Sequence, residues 1–138
     1  MLADHLTVTF VTPEKQVSKG EVAMVLAPSA LGELGILPNH TTLLADLIPG
    51  VVELRHDGAS EVERFAVSGG FLEVDSNHVS LLVETAERPE EIDVERARKA
   101  LAVSEAELKK LSPVDAMYDD QMAKALRARV RLQVAGRK

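Results

Sequence analysis

Four histidines, a serine ahead of a glycine pair and a late run of arginines are the side chains best equipped for chemistry in this chain. His5, His40, His56 and His78 are scattered, and none is paired at metal-ligand spacing, so each reads as a solvent-exposed histidine and no metal site is assigned. Ser68 precedes Gly69-Gly70 but lacks the glycine two residues earlier that a nucleophile elbow requires, so it reads as a turn residue. Glu33 and His40 would make an acid/base pair only if the fold brought them together. The chain has no cysteine, which removes a thiol nucleophile, a disulfide framework and a cysteine metal site, and suits a reducing compartment. No set of nucleophile, base and oxyanion donors can be assembled, so no catalytic residue is assigned and a hydrolase ranks last among the readings.

Binding chemistry is better represented. Lys124, Arg127 and Arg131 fall at i, i+3, i+7 on one face of a helix, with Arg129 between them, and no acidic residue follows Asp120. Through Glu91 there are 5 Lys+Arg against 15 Asp+Glu, and from Ile92 onward 11 against 7, so the two parts carry −10 and +4. A basic end of this kind has a negative target or is simply a solvated face. Ile92-Asp93-Val94-Glu95-Arg96-Ala97 likewise permits two readings: Asp93 as a helix cap with solvated Glu95 and Arg96, or part of a ligand site.

The elements that must position these groups change character near Ile92. Leu6, Val8 and Phe10 alternate with Thr7 and Thr9; Val22, Met24 and Leu26 continue the period of two, and Val62, Phe65 and Val67 resume it after a shift in phase. Asp57-Gly58 and Ser76-Asn77 are hairpin signals between such runs. Short strands so regularly spaced predict an antiparallel β-sandwich or flattened barrel. From Asp93 the period is helical, with Val94, Ala97, Leu101, Ser104, Leu108 and Leu111 on one narrow stripe. Ser112-Pro113-Val114-Asp115 combines a serine cap, a proline and an acid three residues on, which predicts a second helix over about 113–134 with Tyr118, Met122, Leu126 and Val130 as its stripe. The expected fold class is therefore α+β: an N-terminal β-sandwich over 1–88 and a C-terminal antiparallel helical hairpin over 89–138, loosely held because its seam is thin and alanine-rich. Four aromatic residues leave little for base stacking, so nucleic acid is an unsuitable partner. Neither a membrane span nor a signal peptide is read in the sequence.

Two glycine-punctuated motifs complete the pattern. Gly32-Glu33-Leu34-Gly35-Ile36-Leu37-Pro38-Asn39-His40 reads as a shaped surface loop, because two glycines can take positive φ and Pro38 forbids a central strand; Val67-Ser68-Gly69-Gly70-Phe71-Leu72-Glu73-Val74 reads as a tight bend between strands. With Ala86-Glu87-Arg88 and Ile92-Asp93-Val94-Glu95-Arg96-Ala97, their order and spacing resemble the epsilon subunit of bacterial rotary (F-type) ATP synthases, from about Leu6 to Val134.

The resemblance implies a non-catalytic rotor subunit of a proton-translocating enzyme that makes or hydrolyses ATP on other chains. Its sandwich would dock on the gamma subunit and the c-subunit ring, with Glu33 and His40 as rotor contacts. Its hairpin would extend toward acidic loops of the catalytic beta and alpha subunits and stop rotation, with Lys124, Arg127, Arg129 and Arg131 as the inhibitory contacts. The implied place is the cytoplasmic face of the bacterial plasma membrane, peripheral and without direct insertion. No cofactor is implied, but ATP is an implied regulatory ligand. Glu87, Ile92, Asp93, Arg96 and Ala97 match the family's ATP pattern, and Arg127 and Arg131 match its pair on the second helix. Val103 stands where tight-binding members have a further arginine. The rival reading is a free-standing ATP-sensing module with no rotor partner.

Overall fold

The computed structural model describes residues 2–57 and 61–136. Ten strands come first: β1 (Leu6–Val11), β2 (Gln16–Val22), β3 (Met24–Ser29), β4 (Gly32–Ile36), β5 (Leu43–Leu47), β6 (Gly50–Arg55), β7 (Val62–Val67), β8 (Gly70–Asp75), β9 (His78–Val83) and the two-residue β10 (Ala86–Glu87). A 3-10 turn, Pro89–Glu91, leads into helices α1 (Val94–Lys110) and α2 (Tyr118–Ala135). The strands follow the order β10-β7-β6-β3-β5-β8-β9-β1-β2, with β4 on the other flank of β3. Only Ser29↔Leu47 joins β3 to β5, so the sheet folds over there into two layers.

Alternation decides which residues lie between the layers. Leu6, Val8 and Phe10 of β1 are fully buried while Thr7 faces out, and Leu72 and Val74 of β8 face in while Glu73 faces out. Phe10 and Phe65 meet edge to face at 5.0 Å in the middle of this aliphatic core. In β7 the alternation breaks, because Phe65, Ala66 and Val67 are all buried. Phe65 and Val67 join the core, whereas Ala66 packs under α2 with Val130 and Val134. One strand is thus covered on both faces, which accounts for the phase shift in the sequence.

Several expectations are corrected. Gly32–Ile36 is not a loop but strand β4, paired with β3 from Val25↔Ile36 to Ser29↔Gly32. Of its glycines only Gly32 has positive φ (120°); Gly35 lies in the strand. Pro38 ends the element rather than preventing it, because it falls two residues beyond. The pairing is antiparallel except for β1 with β9, which run parallel, Thr7 opposite His78. The Ser76-Asn77 hairpin forms with both residues at positive φ (49° and 65°). The Asp57-Gly58 signal falls partly outside the described residues, although β6 and β7 pair antiparallel from Gly50↔Val67 to Arg55↔Val62.

The second helix starts later than expected. The Asp115 carboxylate accepts the Ser112 N–H at 2.6 Å and the Asp115 N–H donates to the Ser112 carbonyl at 2.9 Å, so the acidic half of the capping pattern forms and closes a single turn. The chain then re-enters helix at Tyr118, with Met117 as its cap. The stripe is also rotated. Met122 and Leu126 are exposed, and Ala125, Ala128, Val130, Val134 and Ala135 are the buried side chains. On α1 only Ala97 and Ser104 are buried, so the seam between the helices is as thin as the sequence implied.

Gly70 is the tightest point of the fold. Its φ is 149°, and a Cβ there would lie 2.1 Å from the Leu82 carbonyl oxygen and 2.7 Å from the Val83 Cα, both backbone atoms. Gly70→Ala should therefore cost at least about 2 kcal/mol in urea unfolding. Gly32→Ala should cost less, because no atom lies within 4 Å of the added carbon.

Candidate functional site

The residues singled out for ligand binding fall along the line where α2 meets the sandwich and α1. Val130, Val134 and Ala135 rest on Ala66 with Ile92, and Val51 and Val94 flank this second, smaller apolar cluster. Beside it the Arg131 guanidinium donates to the Glu87 carboxylate at 2.6 Å, from the middle of α2 to β10. The link between the two parts is held as well. Arg88 reaches Glu63 at 2.9 Å and lies over the Phe65 ring at 4.7 Å, and Lys15 approaches Glu91 at 3.5 Å. The Arg88 N–H also donates to Glu91 at 2.9 Å; that bond and the positive charges of Lys15 and Arg88 outweigh burial and hold the Glu91 carboxyl below its usual range.

Arg127 and Arg131 line one cleft with Lys124, Gln121 and Ala128 of α2 and with Ala100, Val103 and Ser104 of α1, about 260 Å³ in volume. Val103, which the resemblance singled out on the first helix, is among the residues lining this cleft. The other positions are less open. Ile92 is 8 % exposed and Ala97 2 %, so neither presents a free apolar surface to a ring. Asp93 caps α1 by accepting the Arg96 N–H at 3.1 Å, while Arg96 is exposed and is not among the residues lining the cleft. Arg129 does not join the other three cations; it approaches Glu105 on α1 at 4.0 Å.

Glu33 lies near the start of β4 and His40 four residues beyond its end, where the His40 ring bonds the Thr41 carbonyl at 2.7 Å. Glu33 is exposed. His40 belongs to a turn fixed by Asn39, whose side chain bonds both the N–H and the carbonyl of Ala3 (3.2 and 2.9 Å) and whose N–H reaches Asn77 at 2.5 Å. All four histidines collect at this end of the sandwich, which their sequence separation concealed. His56 bonds Glu63 at 2.7 Å, His78 bonds Thr9 at 2.8 Å, and His5 lies between Asp57 (2.5 Å) and Asp4 (2.9 Å).

The opposite face of the sandwich holds a feature that the strand pattern did not single out. Phe71 and Leu82, cross-strand partners on β8 and β9, are 54 % and 50 % exposed, and Leu44 on β5 is 71 % exposed. Phe71 and Leu82 line an open apolar depression of about 310 Å³ with Val11 and Pro13. Leu6, Val8 and the other buried strand positions carried the same alternation, so these outward apolar residues were the available signal.

The bonds to Asp57 and then Asp4 raise the His5 pKa from 6.5 to about 9. A raised pKa means that the charged form binds more tightly in the fold, so the contribution is complete below pH 6.5 and is lost as pH rises through about 9. Thermal melting should therefore show His5→Asn separated from the parent protein at pH 6 and converging with it by pH 10.

Two family models match the chain. One, described as the beta-sandwich domain of the ATP synthase Delta/Epsilon chain, covers residues 5–89, and the other, its long alpha-helix domain, covers residues 90–136. The ATP synthase epsilon chains of Geobacter metallireducens (strain ATCC 53774 / DSM 7210 / GS-15) and Geobacter sulfurreducens (strain ATCC 51573 / DSM 12127 / PCA) are 45% and 44% identical over 136 residues, covering 99% of this chain and 97% of each of theirs. Among solved structures, a chain of the Euglena gracilis mitochondrial ATP synthase (OSCP/F1/c-ring, rotational state 1) superposes with a TM-score of 0.83 at 26% identity, over 98% of this chain and 83% of that one. A chain of the Tetrahymena thermophila mitochondrial ATP synthase central stalk and c ring shares the fold at 20% identity, with a TM-score of 0.59 over 96% of each. This chain belongs to the ATP synthase delta/epsilon chain family and, within it, to the epsilon chains, non-catalytic components of the central stalk.

Proposed function

We propose that this epsilon chain couples a gamma subunit to the c ring through its sandwich and restrains ATP hydrolysis through its helical hairpin, with ATP as a ligand that favours the folded hairpin. The observation that carries the regulatory part is the small attachment of the hairpin. Among the described residues, Val130, Val134 and Ala135 of α2 and the ion pair of Arg131 with Glu87 fasten α2 to the strands, with Ile92 and the Lys15–Glu91 pair holding the link. At ~25 cal/mol per Å² such a contact opens for a few kcal/mol, a cost that charge pairing between the basic helix and acidic surfaces of beta and alpha subunits can offset. Lys124, Arg127, Arg129 and Arg131 are the proposed inhibitory contacts. Of these, Arg127 and Arg131 line the α1–α2 cleft and support the ATP reading, since phosphates there would hold both helices together. Placing adenine against Ile92 and Ala97 calls for a local displacement of those two side chains. Glu87, Asp93 and Arg96 complete the proposed ATP set.

For docking, the proposal uses the apolar strip of Leu44, Phe71 and Leu82 on the face away from the helices as the gamma surface, with Glu33 and His40 as contacts toward the ring. The sandwich over 1–88 is proposed as the docking unit and 89–138 as the regulatory one. An exposed strip of this kind favours a stalk subunit over a free-standing ATP-sensing module, which needs no partner on that face. No helix of the described residues is long and apolar enough to cross a membrane. A peripheral position on the cytoplasmic face of the bacterial membrane, reached through partners, is therefore part of the proposal.

Reconstitution of the synthase with and without this chain tests the whole. A chain ending at Glu91, or one with Lys124, Arg127, Arg129 and Arg131 changed to alanine, should still bind gamma but raise ATP hydrolysis at least about twofold, as expected if half or more of the enzyme is held inhibited. Unchanged hydrolysis under all nucleotide and proton-gradient conditions would leave only the coupling role. Phe71→Ser with Leu82→Ser should weaken gamma binding roughly thirtyfold or more, the loss expected on truncating a central apolar anchor, while the melting temperature stays near that of the parent.

A further inference from the structure

The cleft between α1 and α2 contains one cation that the proposed ATP contacts leave out. Lys124 lines it together with Arg127 and Arg131, while the facing wall of α1 is Ala100, Val103 and Ser104. Three cations along about 10 Å of one helix, at ~1.5 Å per residue, form a wall suited to adjacent phosphoryl groups rather than to a single carboxylate. No carboxylate lines the cleft. Among the described residues Arg127 has no ion-pair partner, Arg131 holds Glu87, and Lys124 Nζ lies 3.1 Å from Asp120. That last pair is half exposed on both sides and spaced i, i+4, so Lys124 gives it up to a phosphate at little cost.

Val103 stands on the opposite wall, 62 % exposed, and supplies no charge to the cleft. We infer that Lys124 is a phosphate-binding residue that replaces this missing charge, reaching from α2 the same group that an arginine at Val103 would reach from α1. The inference rests on the ATP reading given above and adds to it a residue and a chemical reason why the loss at Val103 is tolerated. Lys124 then has two uses, phosphate in the folded hairpin and acidic protein surface in the extended one, and these exclude each other. ATP would therefore withdraw from the inhibitory face one of the charges it needs.

Calorimetric titration of the full chain with MgATP, and separately with inorganic triphosphate, tests this. Lys124→Ala should weaken both ligands about tenfold, the lower end of what a charge-assisted hydrogen bond contributes. Lys124→Arg should bind like the parent, Asp120→Asn should bind somewhat more tightly because the competing carboxylate charge is gone, and Val103→Arg added to Lys124→Ala should restore affinity. Melting temperature serves as the control for folding, and Arg127→Ala as the reference for a lost phosphate contact. If Lys124→Ala binds both ligands as the parent does while Arg127→Ala does not, Lys124 is a solvated surface lysine and the inference is wrong. If the parent itself binds neither ligand at millimolar concentration, the ATP reading fails first and takes this inference with it.

Discussion

Among the described residues, Arg131 reaching Glu87 is the ion pair that ties a helix to a strand, and it sits beside the few apolar side chains on which α2 rests. α1 packs chiefly on α2, so α2 is the element through which the whole hairpin is attached. The ion pair is about one-third exposed on both sides, so it is screened by salt and contributes modestly, in contrast to the core beneath it. The sandwich has a closed aliphatic interior with Phe10 and Phe65 at its centre, whereas the hairpin borrows its stability from a neighbour. A fold divided in this way has one part with a core of its own and one part that leans on it.

The seam between the helices reinforces that division. Ala97 and Ser104 on α1, with Ala125 and Ala128 on α2, let the two backbones approach closely but bury little apolar area. Longer apolar residues that could have filled the seam, Met122 and Leu126, are turned outward. An outward apolar stripe flanked by cations is costly in an isolated hairpin and useful in one that pairs elsewhere. By contrast, the buried charge of the sandwich, Glu53, is locked. Glu53 is pushed up by burial, yet the bonds from Arg55 and Arg64 outweigh it and leave its carboxyl below the usual range. Lys124 and Arg129 are held instead by an exposed i, i+4 pair and an interhelical pair, both of which contribute little.

How much of this was legible in the sequence depends on whether the deciding contact is local. The alternation of Leu6, Val8 and Phe10, the Ser76-Asn77 turn and the Asp93 cap are set by neighbours in the chain, and each appears as read. Burial of Ala66, the parallel pairing of β1 with β9 and the gathering of four histidines at one end are set by residues far apart, and no periodicity encodes them. The segment after Ser112 is the instructive failure. Its capping residues do what their types dictate, but only for one turn, because the side chains that follow, Val114 and Met117, find nothing to pack on and remain 92 % and 53 % exposed. At the candidate site, the pairing of Arg127 with Arg131 in one cleft follows from i, i+4 spacing. Val103 and Lys124 enter that cleft only because α1 and α2 are antiparallel neighbours, which single-helix reasoning cannot locate residue by residue.

The central claim is that α2, fastened through Glu87 and the small apolar contact beside it, holds the hairpin in a marginal balance. The most direct measurement is the distance distribution between spin labels at Glu84→Cys and Gln133→Cys, recorded in low and high salt, with Glu87→Gln, and with the exchanged pair Glu87→Arg and Arg131→Glu. The account predicts a single short distance in low salt, a growing population at longer distance in high salt and in Glu87→Gln, and recovery of the short distance in the exchanged pair even though the arginine proposed for ATP is gone. One unchanged short distance under every condition would contradict it, because the hairpin would then be part of the rigid body.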